Sequence, residues 1–226
     1  MIVTIDGPAG AGKSSIARQA ADSLGFEFLD TGAMYRAIAL AGIRADVDWN
    51  DKAALLRLAK KVTIEFRDRC VWLNGNDVTA LIRTPSVTDV IRHVADVIEI
   101  REILTDKQRA FVDGRDVVTE GRDQGSEVFP NAQCKIFLTA SPEERARRRQ
   151  QQLSEAGRYV PLEDILAQQN RRDQEDSSRP VGGLRPAEDA VILHSDSLSL
   201  DEVLLEVLRI VHQRRGELAA AGHPEH

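Results

Sequence analysis

Aromatic side chains make up only 4% of this 226-residue chain, which leaves no platform for stacking nucleic-acid bases. Cysteine is nearly absent too. Cys70 and Cys134 stand far apart without metal-type spacing, so they are expected as two reduced thiols rather than a disulfide framework or a zinc site. Positive charge is not in excess: 30 Lys and Arg against 36 Asp and Glu leave a net charge of −6. There is no overall basic field for a nucleic-acid partner, so an anion site has to come from locally clustered arginines. No apolar run approaches a membrane span, and the N-terminus enters a strand without a signal peptide, so a cytoplasmic protein is expected. No Ser-His-Asp arrangement and no metal-ligand cluster stands out. His93 and His194 are isolated and read as structural, and Trp49 and Trp72 as packing residues. Internal repeats and domain linkers are also missing, so one domain with an insertion is expected.

What is present is concentrated at the start, in Met1-Ile-Val-Thr-Ile-Asp-Gly-Pro-Ala-Gly-Ala-Gly-Lys-Ser-Ser15. Ile2 to Ile5 form a β-branched run of the kind found in buried parallel strands. Gly7, four residues, then Gly12-Lys13-Ser14 is the phosphate-binding loop pattern. Its chemistry needs glycine because the backbone must wrap closely round phosphate oxygens with its N–H groups turned inward. The stretch expected to contact the triphosphate is Gly7, Pro8, Ala9, Gly10, Ala11, Gly12, Lys13, Ser14 and Ser15. Lys13 is expected at the β- and γ-phosphates, the Ser14 hydroxyl on Mg²⁺, and a helix over Ser14–Leu24 adds the positive end of its dipole. A plain Gly-rich turn would also satisfy the spacing, but a strand before and a helix after point to a nucleoside triphosphate.

Taken in order, Phe26–Leu29 reads as a second strand and Ala33–Ala45 and Lys52–Lys61 as helices. Strand, helix, strand, helix around a phosphate loop predicts an α/β fold with a doubly wound parallel sheet. Val62–Phe66 and Cys70–Leu73 then break the pattern as a small antiparallel excursion, turned at Asn74–Asp77 and closing near Thr84-Pro85. Helices follow at about 86–96 and 99–112, core strands at Asp116–Glu120 and Cys134–Thr139, and helices at about 142–156 and 162–176. Pro180–Pro186 is loop, Ala190–Leu193 the last strand and Leu200–Gln213 the last helix. The tail Gly216–His226 is expected to fray. Asp113-Gly-Arg-Asp116 precedes a strand and reads as a turn, whereas the similar Glu120-Gly-Arg-Asp123 follows one.

Arginines sit at the ends of several of these elements, notably Arg36, Arg101, Arg122, Arg171, Arg172 and Arg179. Ligands bind at the carboxyl ends of strands in such sheets, and convergent guanidinium forks suit two phosphate-bearing substrates. A solvated surface pair is the competing role for any one of them. For Arg145, Arg147, Arg148 and Arg149, a charge run on one helix, a solvated face is expected for most members.

Five blocks together resemble the bacterial cytidylate kinases, a family of P-loop nucleoside-monophosphate kinases. They are Ile5–Ser14, Leu29–Arg36, Arg101 with Gln108–Phe111, Gly121–Asp123 with Val128–Pro130, and Lys135–Leu138 with Arg172–Arg179. The resemblance implies a P-loop NTPase fold with a five-stranded parallel sheet. It implies a core of about 1–61, 94–146 and 161–215, an NMP-binding insert at about 62–93 and a short lid at about 147–160. It further implies transfer of the γ-phosphoryl of ATP to CMP or dCMP with Mg²⁺, by a monomer, without nucleic-acid or membrane partners. Carried over by position, Lys13, Arg122 and Arg179 are catalytic, and Arg36 joins the last two around the phosphates. Arg172 and Asp176 resemble the pair near the ribose, Arg101 and Asp123 fall where the family reads cytosine, and Thr31 and Tyr35 lie in the matching substrate block. Arg145 and Arg149 are implied weakly at the ATP side. Three positions depart from the pattern. The family's cytosine-facing serine falls at Arg92, its proline at Ile98, and its Asp before Gly121 is Glu120. Arg92 is expected either to donate in place of that hydroxyl or to turn to solvent.

Other P-loop readings fit less well. A shikimate- or gluconate-type kinase lacks a reason for the Gly121-Arg-Asp123 block and the strand-rich insert. A GTPase-like switch needs an Asn-Lys-x-Asp for guanine, which is absent.

Overall fold

The elements run β1 (Ile2–Asp6), α1 (Lys13–Leu24), β2 (Glu27–Asp30), α2 (Thr31–Arg44), α3 (Lys52–Lys61) and β3 (Ile64–Arg67). They continue through β4 (Cys70–Leu73), β5 (Asn76–Asp77), α4 (Pro85–Ala95), α5 (Ile98–Val112), β6 (Val117–Gly121) and β7 (Cys134–Thr139). The last four are α6 (Pro142–Glu155), α7 (Leu162–Ser177), β8 (Val191–His194) and α8 (Leu200–Ala221). These come from a computed structural model that describes residues 1–155 and 157–221. They divide into two compact units, Met1–Leu29 with the chain from Val112 onward, and Asp30–Phe111.

The first unit holds the main sheet, five parallel strands in the order β2-β6-β1-β7-β8. The order arises because the chain starts at the centre with β1 and goes out to β2. It then returns through β6 before building the other side with β7 and β8. Burial on both faces explains why β1, β6 and β7 read as apolar runs rather than as alternating strands. Ile16, Ala17, Ala20 and Ala21 form the buried stripe of α1, and Val203, Val207, Ile210 and Val211 that of α8. Both stripes join Val3, Ile5, Val118, Ile136 and Leu138 of the sheet in one apolar cluster. Burying each such Ile or Leu contributes about 1.5–3 kcal/mol.

In the second unit, Asp30 and Asp51 cap α2 and α3 by accepting from the N–H of Ala33 and Ala54, each at 2.9 Å. Trp49 lies against the Gly42 backbone, where a Cβ would meet the ring at 2.7 Å, and its ring centroid is 5.8 Å from that of His93. Asn74 and Gly75, both at positive φ, turn the chain from β4 into β5.

Two sequence expectations need correction. Asn76–Asp77 is not only turn but a short third strand paired with Leu73 and Trp72, because the two-residue hairpin leaves both residues in register with β4. The tail does not fray from Gly216, since α8 continues to Ala221, held by i,i+3 and i,i+4 links from Arg214 and Gln213 to Glu217. The rest of the tail, and Ala156 at the end of the helix expected over 142–156, lie outside the described residues. A single π-helical turn at Gln124–Val128, unforeseen in the sequence, follows β6.

Candidate active site

The loop between β1 and α1 begins with a contact only glycine permits. Gly7 has φ +147°, and a Cβ there would lie 2.0 Å from the Leu138 carbonyl oxygen on β7. Close backbone packing therefore fixes where the loop leaves the sheet. Gly12, at φ +88°, then opens α1. Lys13 folds back over the loop, and its buried ammonium donates to the Pro8 carbonyl at 2.8 Å. Burial, then Arg122 and Arg172, pushes the Lys13 pKa down from 10.5 to about 7, against the opposing pull of Glu120 and Asp6.

Asp6, at the end of β1, is buried and accepts from the N–H groups of Gln124 and Gly125 at 2.9 and 2.7 Å. Burial raises its pKa from 3.8 to about 7 despite those two bonds, and Asp123 adds to the rise. Parallel pairing of β1 with β6 sets Ile5 beside Glu120 and Asp6 beside Gly121. That register lets the Ser14 hydroxyl donate to Glu120 Oε1 at 2.8 Å. Ser14 and Glu120 thus form a hard-oxygen donor set, and Mg²⁺ is bound by such carboxylate and hydroxyl oxygens together with phosphate and water. The residues fit that ion. Among the described residues there is no cluster of three His, Cys, Asp or Glu that would hold a metal without a nucleotide.

Beyond β6, Arg122 Nε donates to Asp176 Oδ2 at 2.9 Å, and Arg179 reaches Asp176 Oδ1 at 2.7 Å. Burial alone would raise the Asp176 pKa, but Arg122, Arg179 and Arg172 together hold it below the usual carboxylate value. Asp176 thus bridges Arg122 and Arg179, and the charge of Arg172, expected with it near the ribose, acts on it as well. Asp123 is buried next to Arg122, at the entrance to the π-helical turn. Glu127 in that turn accepts from Gly182 N and Arg185, tying down the loop after Arg179.

The arginines of α6 do not share one role. Arg147 and Arg149 are exposed, as expected for a solvated face. Arg148 instead donates to Ser195 Oγ at 3.0 Å and to the Ser195 carbonyl. Arg145 is buried and donates to the Ala9 carbonyl at 2.8 Å.

The other expected substrate residues lie in the second unit. Thr31 is buried at the start of α2. Arg36 donates to Thr88 Oγ1 at 2.9 Å and to the Ile82 carbonyl. Arg101 is buried with its guanidinium 5.5 Å from the Tyr35 ring centroid, a cation–π contact that holds its fork in place. Arg92 is on the exposed side of the last turn of α4.

Asp6, Glu120 and Asp173 escaped the sequence reading as site residues, and Arg145 was implied only at the ATP side, not as a buried partner of the loop. Glu120 and Asp6 carried a usable signal, as carboxylates at the ends of two adjacent core strands. Asp173 carried none, since its partners are 164 and 28 residues away.

The fold is that of the P-loop kinases, and a gluconokinase from Sinorhizobium meliloti 1021 shares it at TM-score 0.52. That likeness covers 98% of this chain and 97% of the other at 16% identity. The family is narrower: the profile of the cytidylate kinases matches residues 3–213, and the chain belongs to that family. A cytidylate kinase from Rhodopirellula baltica is 57% identical over 213 residues, covering 94% of this chain and 93% of its own. Another from Pelotomaculum thermopropionicum is 44% identical over 220 residues, covering 95% and 97%.

Proposed function

We propose that this chain transfers the γ-phosphoryl group of ATP to CMP or dCMP, giving CDP or dCDP and ADP. The observation that carries the reading is the gathering of Arg122, Arg172 and Arg179 round Asp176, with Arg122 and Arg172 also acting on Lys13 of the phosphate loop, more cation than one nucleotide needs. Membership of the cytidylate kinase family supports the choice of acceptor.

The acceptor oxygen of a monophosphate is already anionic, so the reaction requires no general base. The work left to the protein is in-line positioning and neutralisation of charge on the equatorial oxygens. Backbone N–H groups of the loop from Gly10 to Ser15 cradle the β- and γ-phosphates, with the Lys13 ammonium moving from the Pro8 carbonyl to phosphate oxygen. The Ser14 hydroxyl with Glu120 would hold Mg²⁺ when ATP is bound, and the ion would supply neutralisation of phosphate charge there. Arg122 and Arg179 serve the transferring group, and Arg36 the acceptor phosphate. Arg172 and Asp176 serve the ribose, and Tyr35 orders Arg101. Arg101 and Asp123 read cytosine by donating to O2 and N3 and accepting from N4. Thr31 lines the acceptor side, and Arg92 supplies a donor near the base or faces solvent.

In this reading residues 62–93 form the NMP-binding insert and 147–160 the lid, whose closure keeps water from hydrolysing ATP. The protein acts as a cytoplasmic monomer on small nucleotides, without nucleic acid or membrane. In support, no helix among the described residues is long and apolar enough to cross a membrane.

An ADP-release assay with Mg-ATP against CMP, dCMP, UMP, AMP, GMP, shikimate and gluconate tests the reading. Strong turnover confined to CMP and dCMP is expected. Equal or better turnover of UMP or AMP would keep the mechanism and refute the cytosine assignment, and silence with every monophosphate would refute the kinase.

A further inference from the structure

Both backbone polar groups of Ala9, at the outer edge of the phosphate loop, are held by side chains from α6 and α7. The Ala9 N–H donates to Asp173 Oδ1 at 3.3 Å, and its carbonyl accepts from Arg145 Nη1 at 2.8 Å. Arg145 Nη1 also donates to Asp173 Oδ2 at 2.6 Å, and its Nε to the Ala140 carbonyl at 3.1 Å. The pair is nearly dry, with side chains 5% and 16% exposed. The neighbouring Gly10 packs on the same two helices, since a Cβ there would stand 2.6 Å from Gln169 Nε2 and 3.3 Å from Arg145 Cβ.

A loop that binds phosphate through backbone N–H groups works best when those groups are already aimed, so that no binding energy goes into ordering them. Two-point support of the Ala9 peptide supplies that order. It also brings a hazard, because the Asp173 carboxylate lies one hydrogen bond from a loop that must accept a triphosphate. Arg145 cancels that charge through its bond to the second carboxylate oxygen. The two partners are therefore unequal. Loss of Arg145 leaves an unpaired, poorly solvated anion beside the loop, whereas loss of Asp173 leaves a cation that phosphate tolerates.

We propose that Arg145 and Asp173 are a positioning pair for ATP, in which Asp173 and Arg145 brace the Ala9 peptide and Arg145 masks the Asp173 charge. The proposal rests on the ATP-binding reading above, and ADP binding tests it without recourse to turnover. Full-length Arg145→Ala, Asp173→Asn and the double variant are compared by calorimetric titration with ADP, together with KM for ATP and for CMP. Arg145→Ala is expected to weaken ADP binding by about tenfold or more, and Asp173→Asn by less than about threefold. The double variant should bind more tightly than Arg145→Ala alone, and KM for CMP should stay within about twofold throughout. A pair serving only to stabilise the fold would not give that reversal.

If the double variant binds as weakly as Arg145→Ala, or more weakly, the charge-masking proposal is overturned. Thermal unfolding checks each variant, and Arg145→Gln, alone and with Asp173→Asn, repeats the comparison if Arg145→Ala does not fold. Wild-type protein that binds ADP yet transfers nothing to CMP would refute the acceptor and leave this comparison valid. Wild-type protein that binds no ADP would overturn both.

Discussion

Lys13 is the residue on which binding and ionisation meet. Its ammonium is buried beside Arg122 and Arg172, which brings its pKa down to about 7. Triphosphate oxygens reverse the balance, because negative charge close by favours the protonated amine. At pH 8, ADP or ATP binding should therefore take up a proton, visible as a dependence of the calorimetric enthalpy on the ionisation enthalpy of the buffer. Lys13→Met should abolish the Lys13 share of that uptake and lower kcat by about 10²–10³, the usual loss for a preorganised donor to developing charge. An unchanged proton count in Lys13→Met would contradict the assignment. Lys13 itself was legible in the sequence, since glycine spacing defines the phosphate loop locally. Its electrostatic setting was not, because Arg122, Arg172 and Glu120 lie over a hundred residues further on.

Among the elements, α3 matched its sequence expectation residue for residue, since Asp51 caps it locally and its apolar spacing is helical. The turn after β6 did not. Asp123-Gln124-Gly125 carries no helical pattern, and the π-helical turn is held by Asp6, 118 and 119 residues away. The end of α8 was misjudged for a different reason: Ala and Gly composition says little about a helix that simply continues from a packed segment. Residues 216–220 are exposed, so they add helix without adding core. Deletion of 216–226 is expected to cost less than ~1 kcal/mol in urea unfolding and to leave kcat unchanged. A larger loss would mean that the end of α8 packs against something essential.

For the whole molecule, the buried Asp6 links folding to pH. Its pKa is raised from 3.8 to about 7, so its contribution is fully present below the unfolded value and is lost as pH rises through about 7. The unfolding free energy of wild type minus that of Asp6→Asn should fall between pH 4 and 7, on the order of 1.4 kcal/mol per unit, and level off above. A flat difference would show that Asp6 is already ionised at acid pH. The same carboxylate marks the boundary between what each level of structure decides. The sequence alone determined the α/β class, the phosphate loop and where along the chain the core strands fall, because these rest on short-range spacing and local periodicity. It also determined the family, because several separated blocks match together. Only the tertiary structure decided that Glu120 stands beside Ser14, that Asp176 accepts from Arg122, and that Arg145 is buried against the loop rather than solvated with its neighbours. Those choices depend on strand register and on which helix face turns inward. Both follow from packing between segments far apart in the chain, where no local pattern records the partner.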